Sequence, residues 1–266
     1  MMESRTLRIA LGLWVGFVLL FLFIPIALIF VYAFNASNIQ SWPIPGFTLQ
    51  WFSSAWENRE IRTAMMLSLK AGLVATLIAV VLGTASALAV HRYAFRGRDG
   101  VSFMLVLPIA LPGIITGMAL SSFFVFWETG LSYWTIVIGH ATFCIVIVYN
   151  NVIARLRRIP ASLEEASMDL GADGWMTFRR VTLPMMSTAL VAGALLAFAL
   201  SFDEVIVTTF TAGSQNTLPL WIFGAIRLGQ KLPEVNVVVV FVMAVTFLPV
   251  LIAYRLMDQS GPGPSK

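Results

Sequence analysis

The chain has 266 residues, of which 59% are hydrophobic and only 11% are charged. About a quarter of the residues of an ordinary soluble domain are charged, so this composition excludes that class and indicates an integral membrane protein. A bilayer-spanning helix needs about twenty apolar residues, so the length allows six spans but excludes a twelve-helix transporter. The single cysteine excludes a disulfide framework.

Six apolar segments predict six transmembrane helices and an all-α integral membrane fold. The first segment is too long for the core of a signal peptide and has no small-x-small cleavage site, so we expect a retained span. Pro108, Pro112 and Gly113 could break the third span around a pathway or only kink it. The predicted spans cover about residues 9–33, 64–90, 102–126, 134–153, 187–210 and 236–255 of one transmembrane domain, residues 1–266.

The distribution of lysine and arginine predicts the orientation of these spans. With a cytoplasmic N-terminus, twelve of the 17 basic residues fall on the cytoplasmic side and five on the other. This positive-inside bias predicts that both termini are cytoplasmic. The loop 154–186, between the fourth and fifth spans, is then cytoplasmic too.

This loop contains the charged stretch EEASMDLGADGWMTFRRVTLP, residues 164–184, between two apolar runs. Pro160 ends the preceding helix, and Ser162 with Glu165 predicts a capping box that opens a new one. Gly171 is suited to the left-handed residue that ends this helix.

A second short helix is predicted to follow in the same loop. Asp173 is a suitable N-cap for it, and Pro184 would open the fifth span. Membrane-surface helices favour lysine and arginine on their polar face. The first loop helix is acidic instead, which favours a groove on another protein over lipid as its contact.

The order Glu165-Ala166-Ser167, then Gly171, then Val181-Thr182-Leu183-Pro184 resembles the EAA loop of permease subunits of ABC importers. Ser167 stands where the motif usually has alanine, and Val181 where it usually has isoleucine. The resemblance implies that the loop couples the permease to an ATPase. The coupling residues that it implies are Glu164, Glu165, Ala166, Asp169, Gly171, Ala172, Leu183 and Pro184.

Further segments extend the resemblance over nearly the whole chain, and they are most similar to the polyamine (spermidine/putrescine) branch of these permeases. The resemblance implies a type I importer fold with coupling helices between the fourth and fifth spans, in a bacterial plasma (inner) membrane. It also implies a cytoplasmic ATPase dimer, a second and non-identical permease, and an external or periplasmic solute-binding protein. The segments are GFTLQWF (46–52), HRYAFRGR (91–98), SFDEVIVTTFTAG (201–213), TLPLWIF (217–223) and PEVNVV (233–238).

The chain has no G-x-x-x-x-G-K-[ST] phosphate loop, so we expect no cofactor in it and no ATP hydrolysis by it. ATP and magnesium are expected in the partner ATPase. An intramembrane enzyme is disfavoured as well, because neither an H-E-x-x-H helix nor a G-x-S-x-G elbow is present.

Asp203 and Glu204 are the two acidic residues within a predicted span. A carboxylate at the membrane centre costs about 2.5–3.5 kcal/mol and therefore normally faces a cavity or a partner group. On a continuous helix, Glu204 shares a face with Ser201, Thr208 and Thr211, so we expect it to line a wet pathway. Asp203 is expected to meet a partner group at a helix or subunit interface. One or both carboxylates are expected to attract a cationic solute during its passage, and the alternative is a structural ion pair or a protonated acid buried at the dimer seam.

His140 belongs to a weaker polar stripe in the fourth span. It could contact the solute, or it could be a hydrogen-bonded packing histidine, since polar side chains commonly join membrane helices.

Together these features predict the permease subunit of an ATP-driven importer for a small cation, and the resemblance implies that this cation is a polyamine such as putrescine or spermidine. The alternatives are a permease for another small nutrient, such as an amino-acid derivative, an opine or a thiamine-like cation, and a self-contained secondary transporter. The secondary transporter leaves the acidic cytoplasmic loop unexplained.

Overall fold

A computed structural model describes the backbone of residues 5–258 and the side chains of residues 5–246. The ends of the predicted domain, residues 1–4 and 259–266, lie outside the described residues. Within the described range the regular secondary structure is helical, apart from one isolated antiparallel bridge between Asn35 and Phe47. The helices are α1 (Arg5–Tyr32), α2 (Gln50–Glu57), α3 (Arg59–Arg92), α4 (Arg98–Ala110), α5 (Gly113–Phe126), α6 (Tyr133–Leu156), α7 (Ala161–Asp169), α8 (Gly174–Thr177), α9 (Leu183–Asp203), α10 (Ile206–Thr211), α11 (Leu218–Leu228) and α12 (Leu232–Asp258).

Four helices of the described residues are long and apolar enough to cross a membrane: α1, α3, α6 and the continuous helix Gly174–Asp203 that contains α9. The bent pair α4–α5 counts as a fifth span if it is taken as one. The predicted sixth span, 236–255, falls within α12. The side chains of the second half of α12 lie outside the described residues.

The third predicted span, 102–126, is two helices that meet at an angle of 105°. Leu111 is extended, with ψ 143°, as expected for a residue that precedes a proline. The carbonyl of Pro112 then starts a new helix by accepting hydrogen bonds from the N–H groups of Ile115 and Thr116, at 2.9 and 3.2 Å. Of the two alternatives left open for this span, the structure therefore shows the break, which lies at Pro112, whereas Pro108 lies within α4.

The fifth predicted span, 187–210, is also interrupted. Helix α9 ends at Asp203, Glu204 is extended (φ −71°, ψ 120°), and α10 begins at Ile206. The Glu204 carboxylate accepts the N–H of Val207 at 2.9 Å. In a continuous helix this N–H would donate to a backbone carbonyl, so the side chain competes with the helix for it. The β-branched run Val205–Val207 also lowers the local helix propensity. The prediction of one continuous helix through Glu204 is therefore wrong.

The chain forms two compact units, one of residues up to Ile61 together with those from Gly224, the other Arg62–Phe223. In the first unit, Ser54 and Asn58 at the end of α2 donate hydrogen bonds to the Glu234 carboxylate of α12, at 2.8 and 2.7 Å. These bonds fix the short helix α2 to the start of α12.

In the second unit, α6 is the central helix. It is apolar on most faces, which is typical of a helix surrounded by other helices, and Val146, Val148 and Val152 are fully buried. Helix α3 approaches it closely at Gly83, where an added Cβ would lie 2.8 Å from the carbonyl oxygen of Ile145. Only glycine fits this contact.

Candidate functional site

The breaks of the third and fifth spans lie next to each other in the second unit. A Cβ on Gly113, the first residue of α5, would lie 3.6 Å from Cγ2 of Ile206, the first residue of α10. One turn further on, Gly117 packs against Phe210. Irregular backbone at membrane depth is tolerated where it is buried in protein or lines a cavity, and broken helices form solute sites in transporters. The paired breaks are therefore the candidate solute site.

The contact between α5 and α10 requires a glycine, and we expect Gly117→Ala to disrupt it. The added Cβ would lie 2.6 Å from Cδ2 and 3.3 Å from Cβ of Phe210, so rotation of the ring alone would not relieve the clash. We expect a loss of about 1–3 kcal/mol in the free energy of unfolding, measured as a lower Tm of the purified protein. Gly12→Ala is the matched control, since no atom lies within 4 Å of its added Cβ. An unchanged Tm for Gly117→Ala would contradict the described packing.

His140 of α6 bridges the two sides of the break in the fifth span. Its Nδ1 lies 2.7 Å from Oγ of Ser201 on α9, and its Nε2 lies 2.8 Å from Oγ1 of Thr208 on α10. The side chain is 1% exposed. His140 thus holds the ends of α9 and α10 in a fixed relation.

The hydrogen-bond partners also define the tautomer of His140. The Thr208 hydroxyl donates to the carbonyl of Glu204 at 2.8 Å, which leaves its oxygen to accept from Nε2–H of His140. In the neutral ring Nδ1 then accepts from the Ser201 hydroxyl, and the proton is on Nε2. Both ring nitrogens are engaged within the protein, which fits the interpretation of His140 as a packing histidine.

The hydroxyl groups predicted to line a wet face with Glu204 are buried instead. Ser201 and Thr208 bind His140, and Thr211 donates to the carbonyl of Val207 at 3.0 Å. The predicted wet stripe is therefore wrong, because the chain leaves the helix at Glu204 and the residues before and after it no longer share one helical face.

The two carboxylates lie at the break itself, in different surroundings. Asp203 is exposed at the last residue of α9, and Glu204 is half-buried. Glu204 uses Oε1 to bind the N–H of Val207, and its Oε2 has no hydrogen-bond partner among the described residues. One carboxylate oxygen of Glu204 and the carboxylate of Asp203 therefore remain as acceptors near the break.

The cytoplasmic loop forms a second candidate site, which begins with α7. Pro160 precedes this helix with ψ 130°, and no side chain caps it. The predicted capping box of Ser162 and Glu165 is wrong, because Ser162 is already inside the helix and its own backbone is not in the cap conformation.

The end of α7 agrees with the prediction. Gly171 has φ +87°, in the left-handed region that favours glycine. The N–H of Ala172 donates to the carbonyl of Ser167 at 3.1 Å, and that of Gly171 to the carbonyl of Met168 at 2.9 Å. These two bonds form a Schellman motif.

Asp173 caps the next helix as predicted, with Oδ1 accepting the N–H of Met176 at 2.7 Å. This helix is not a separate one, however, because α8 continues through a π-helical turn, Phe178–Thr182, directly into α9. Leu183 donates its N–H to the carbonyl of Phe178, five residues back. Pro184 has no N–H, and the π turn accommodates it within a continuous helix. Pro184 lies at the start of α9, as predicted, but α9 continues the preceding π turn and does not begin as a separate helix.

Glu164 holds α7 against the rest of the second unit. Its carboxylate pairs with Arg92 at the end of α3 at 2.8 Å and accepts the hydroxyl of Thr182 in the π turn at 2.6 Å. Partial burial raises the pKa of Glu164, but the hydrogen bonds from Thr182 and Arg92 and the charge of Arg92 outweigh it and lower the pKa overall. Sequence reasoning missed Arg92, which is 72 residues away in the chain.

We expect Glu164→Gln to loosen α7. The amide keeps the shape of the carboxyl group but loses the charge that binds Arg92. Amide hydrogens of α7 should exchange about two- to tenfold faster in hydrogen–deuterium exchange, a modest effect because the pair is partly exposed. Glu165→Gln is the matched control, since Glu165 is exposed and makes no ion pair within the described part of the chain. Equal exchange in both variants would contradict this role.

The pH dependence follows from the lowered pKa of Glu164. The folded state favours the carboxylate, so its contribution is complete above the ordinary carboxyl pKa of 4.5 and is lost as the pH falls through the lower folded value. Titration of Glu164 should therefore not alter hydrogen–deuterium exchange in α7 near neutral pH, and its effect should appear only in acid.

The eight predicted coupling residues differ in their exposure. Glu165, Ala166, Asp169, Gly171 and Pro184 are exposed, whereas Glu164, Ala172 and Leu183 are half-buried. The exposed face also carries large apolar side chains, which are Leu163, Met168, Leu170, Trp175 and Met176. Leu170, at the turn after α7, is 90% exposed, which is unusual for leucine and marks a surface that a partner would cover.

This chain resembles known transport proteins along most of its length. Residues 79–264 match the family described as binding-protein-dependent transport system inner membrane component. The chain therefore belongs to this family. It is 34% identical over 249 residues to the putrescine transport system permease protein PotI of Escherichia coli (strain K12), covering 90% of this chain and 88% of PotI.

Two further comparisons agree with this assignment. The chain is 32% identical over 245 residues to the spermidine/putrescine transport system permease protein PotC of Escherichia coli (strain K12), covering 91% of this chain and 92% of PotC. A crystal structure of a bacterial ABC transporter involved in the import of the acidic polysaccharide alginate shares the fold, with a TM-score of 0.69, 18% identity and coverage of 97% and 99% of the two chains. The predicted all-α permease fold and the resemblance to importer permeases are confirmed, and the chain is a multi-pass transport subunit of a binding-protein-dependent system.

Proposed function

We propose that this chain passes a small cationic solute, a polyamine such as putrescine or spermidine, from an external binding protein to the cytoplasm by alternating access. The observation that carries the proposal is the position of Asp203 and Glu204 at a helix break that packs against the break of the third span. Carboxylates within a membrane segment are costly, and they normally serve a solute or ion pathway. The names of PotI and PotC support the choice of a polyamine.

Charge is the physical basis of this choice. A polyamine carries protonated amines, which a carboxylate attracts strongly where little water screens the charges. Asp203 is exposed and the Oε2 atom of Glu204 has no partner among the described residues, so both acids have acceptor capacity for an ammonium group. The buried hydroxyls around His140 do not have this capacity, because they are already bonded within the protein.

The energy source is proposed to be an ATPase dimer that binds the exposed face of α7 and the following turn. Glu165 and Asp169 would supply charge and Leu170 an apolar anchor for a groove on the ATPase. Because α8 is continuous with α9, a force on the loop would be transmitted along one rigid helix to the break at Glu204. ATP and magnesium would bind the ATPase and not this chain.

The complete transporter would also contain a second, non-identical permease and an external or periplasmic binding protein, in a bacterial plasma (inner) membrane. The alternative solutes are other small nutrients such as an amino-acid derivative, an opine or a thiamine-like cation. A self-contained secondary transporter would need no partner.

Purification of the tagged chain from its native membrane without crosslinking tests the assembly. We expect an ATPase and a different permease to co-purify with it. Recovery of the chain alone, together with solute transport by the lone chain in liposomes, would contradict the proposal.

A further inference from the structure

A cavity of about 540 Å³ lies between the C-terminal end of α6 and the start of α9, at the base of the loop that contains α7. Its lining includes Asn150, Asn151 and Arg155 from α6, Arg158 from the turn after α6, and Thr188 from α9. Asn150, Arg158 and Thr188 are exposed, so the cavity is open to its surroundings.

Arg155 is held in position by the protein. Its Nε donates to the carbonyl of Met185, near the start of α9, at 2.8 Å. This bond fixes the plane of the guanidinium group, while its two terminal nitrogens have no hydrogen-bond partner among the described residues. Arg155 therefore presents two terminal nitrogens, with four N–H donors in a fixed plane.

The positive charge of the cavity is not compensated. The ion pairs found within the described residues join Arg92 to Glu164 and Lys231 to Glu60, and neither involves Arg155 or Arg158. The cavity lining contains no acidic residue. Two arginines thus share one cavity with amide and hydroxyl groups but with no carboxylate.

This set of donors fits a phosphate group. Guanidinium groups match the geometry of phosphate oxygens and bind them through paired N–H donors. The amide groups of Asn150 and Asn151 and the hydroxyl of Thr188 can complete the shell of donors. A cationic solute would be repelled here, so the cavity is distinct from the proposed solute pathway.

We propose that this cavity binds the phosphodiester headgroup of an anionic phospholipid of the cytoplasmic leaflet. With the orientation predicted from the basic residues, the end of α6 lies at the cytoplasmic side, where the leaflet carries anionic headgroups and where basic pockets between helices bind them. Inorganic phosphate has the same chemistry, so the experiment must separate the two sources. The inference does not depend on which solute the transporter carries.

The test uses the purified transport complex in nanodiscs of phosphatidylcholine that contain a phosphatidylglycerol probe with a photoreactive group near its headgroup. After irradiation, mass spectrometry measures labelling of peptides that cover residues 150–158. We expect labelling by the phosphatidylglycerol probe to exceed that by a matched phosphatidylcholine probe. Arg158→Gln should reduce it about fivefold, and Arg158→Lys, which keeps the charge, should reduce it less.

Arg157→Gln is the matched control, because Arg157 is exposed beside the cavity but does not line it. It should leave labelling unchanged, and co-elution of the complex checks that each variant still assembles. Equal labelling by the two probes, no loss in Arg158→Gln, or the same loss in Arg157→Gln would overturn the proposal. Displacement of the probe by millimolar inorganic phosphate would show that the cavity binds a free anion, and it would overturn the proposal that the ligand is a lipid headgroup.

Discussion

A Glu165→Lys chain is expected to lose its ATPase and, with it, uptake of the solute. Glu165 is exposed on α7 and makes no ion pair within the described residues, so its carboxylate is available to a partner. Reversing a charge at an interface costs several kcal/mol, which corresponds to a loss of about a hundredfold or more in affinity. Co-purification of the ATPase measures this loss directly.

Asp99→Lys is the matched control for this prediction. Asp99 is an exposed acidic residue in the first turn of α4, outside the loop, and the substitution changes the net charge by the same amount. It should retain the ATPase. Normal co-purification and normal uptake with Glu165→Lys would remove Glu165 from the coupling surface.

Glu204→Gln is expected to reduce uptake of a cationic solute at least about tenfold while the complex still assembles. The glutamine side-chain oxygen can still accept the N–H of Val207, so the start of α10 keeps its cap and only the charge is lost. Close charge pairs are coupled by about 1.5 kcal/mol or more, which supports this magnitude. Initial rates of uptake in proteoliposomes, as a function of solute concentration, measure the effect.

Two comparisons separate charge from structure in this experiment. Glu128→Gln removes an exposed carboxylate away from the break and should transport normally. Glu204→Ala removes both the charge and the cap of α10, so it should also lower the Tm, which Glu204→Gln should not. Unchanged uptake kinetics in Glu204→Gln would place the pathway elsewhere.

Local sequence patterns predicted the features that depend on nearby residues. Hydropathy located the apolar helices, because the bilayer sets both their length and their composition. Gly171 and Asp173 were predicted correctly, since a left-handed helix end and an N-cap each require particular side chains at one position. The acidic character of α7 followed from the same short stretch.

The features that the sequence did not predict depend on competition or on distant partners. The break at Glu204 arises because its carboxylate competes with backbone groups for the N–H of Val207, and a helical face drawn through it was therefore wrong. His140 meets Ser201 and Thr208 across 61 and 68 residues. No local pattern indicates such contacts.

The proline positions show the same limit in another form. Pro112 breaks a helix, whereas Pro184 lies within a continuous one because a π turn precedes it. Proline removes one donor in both cases, and the surrounding packing decides between a break and a local rearrangement. The sequence showed where the backbone would be irregular but not which form the irregularity would take.

The most direct test of the central claim is ATP-dependent uptake of labelled putrescine by proteoliposomes that contain the complete complex and its binding protein. The account predicts uptake that requires ATP, that unlabelled spermidine competes with, and that Glu204→Gln reduces at an unchanged content of ATPase. Uptake by the lone chain without ATP, or an uptake rate that Glu204→Gln leaves unchanged, would contradict it.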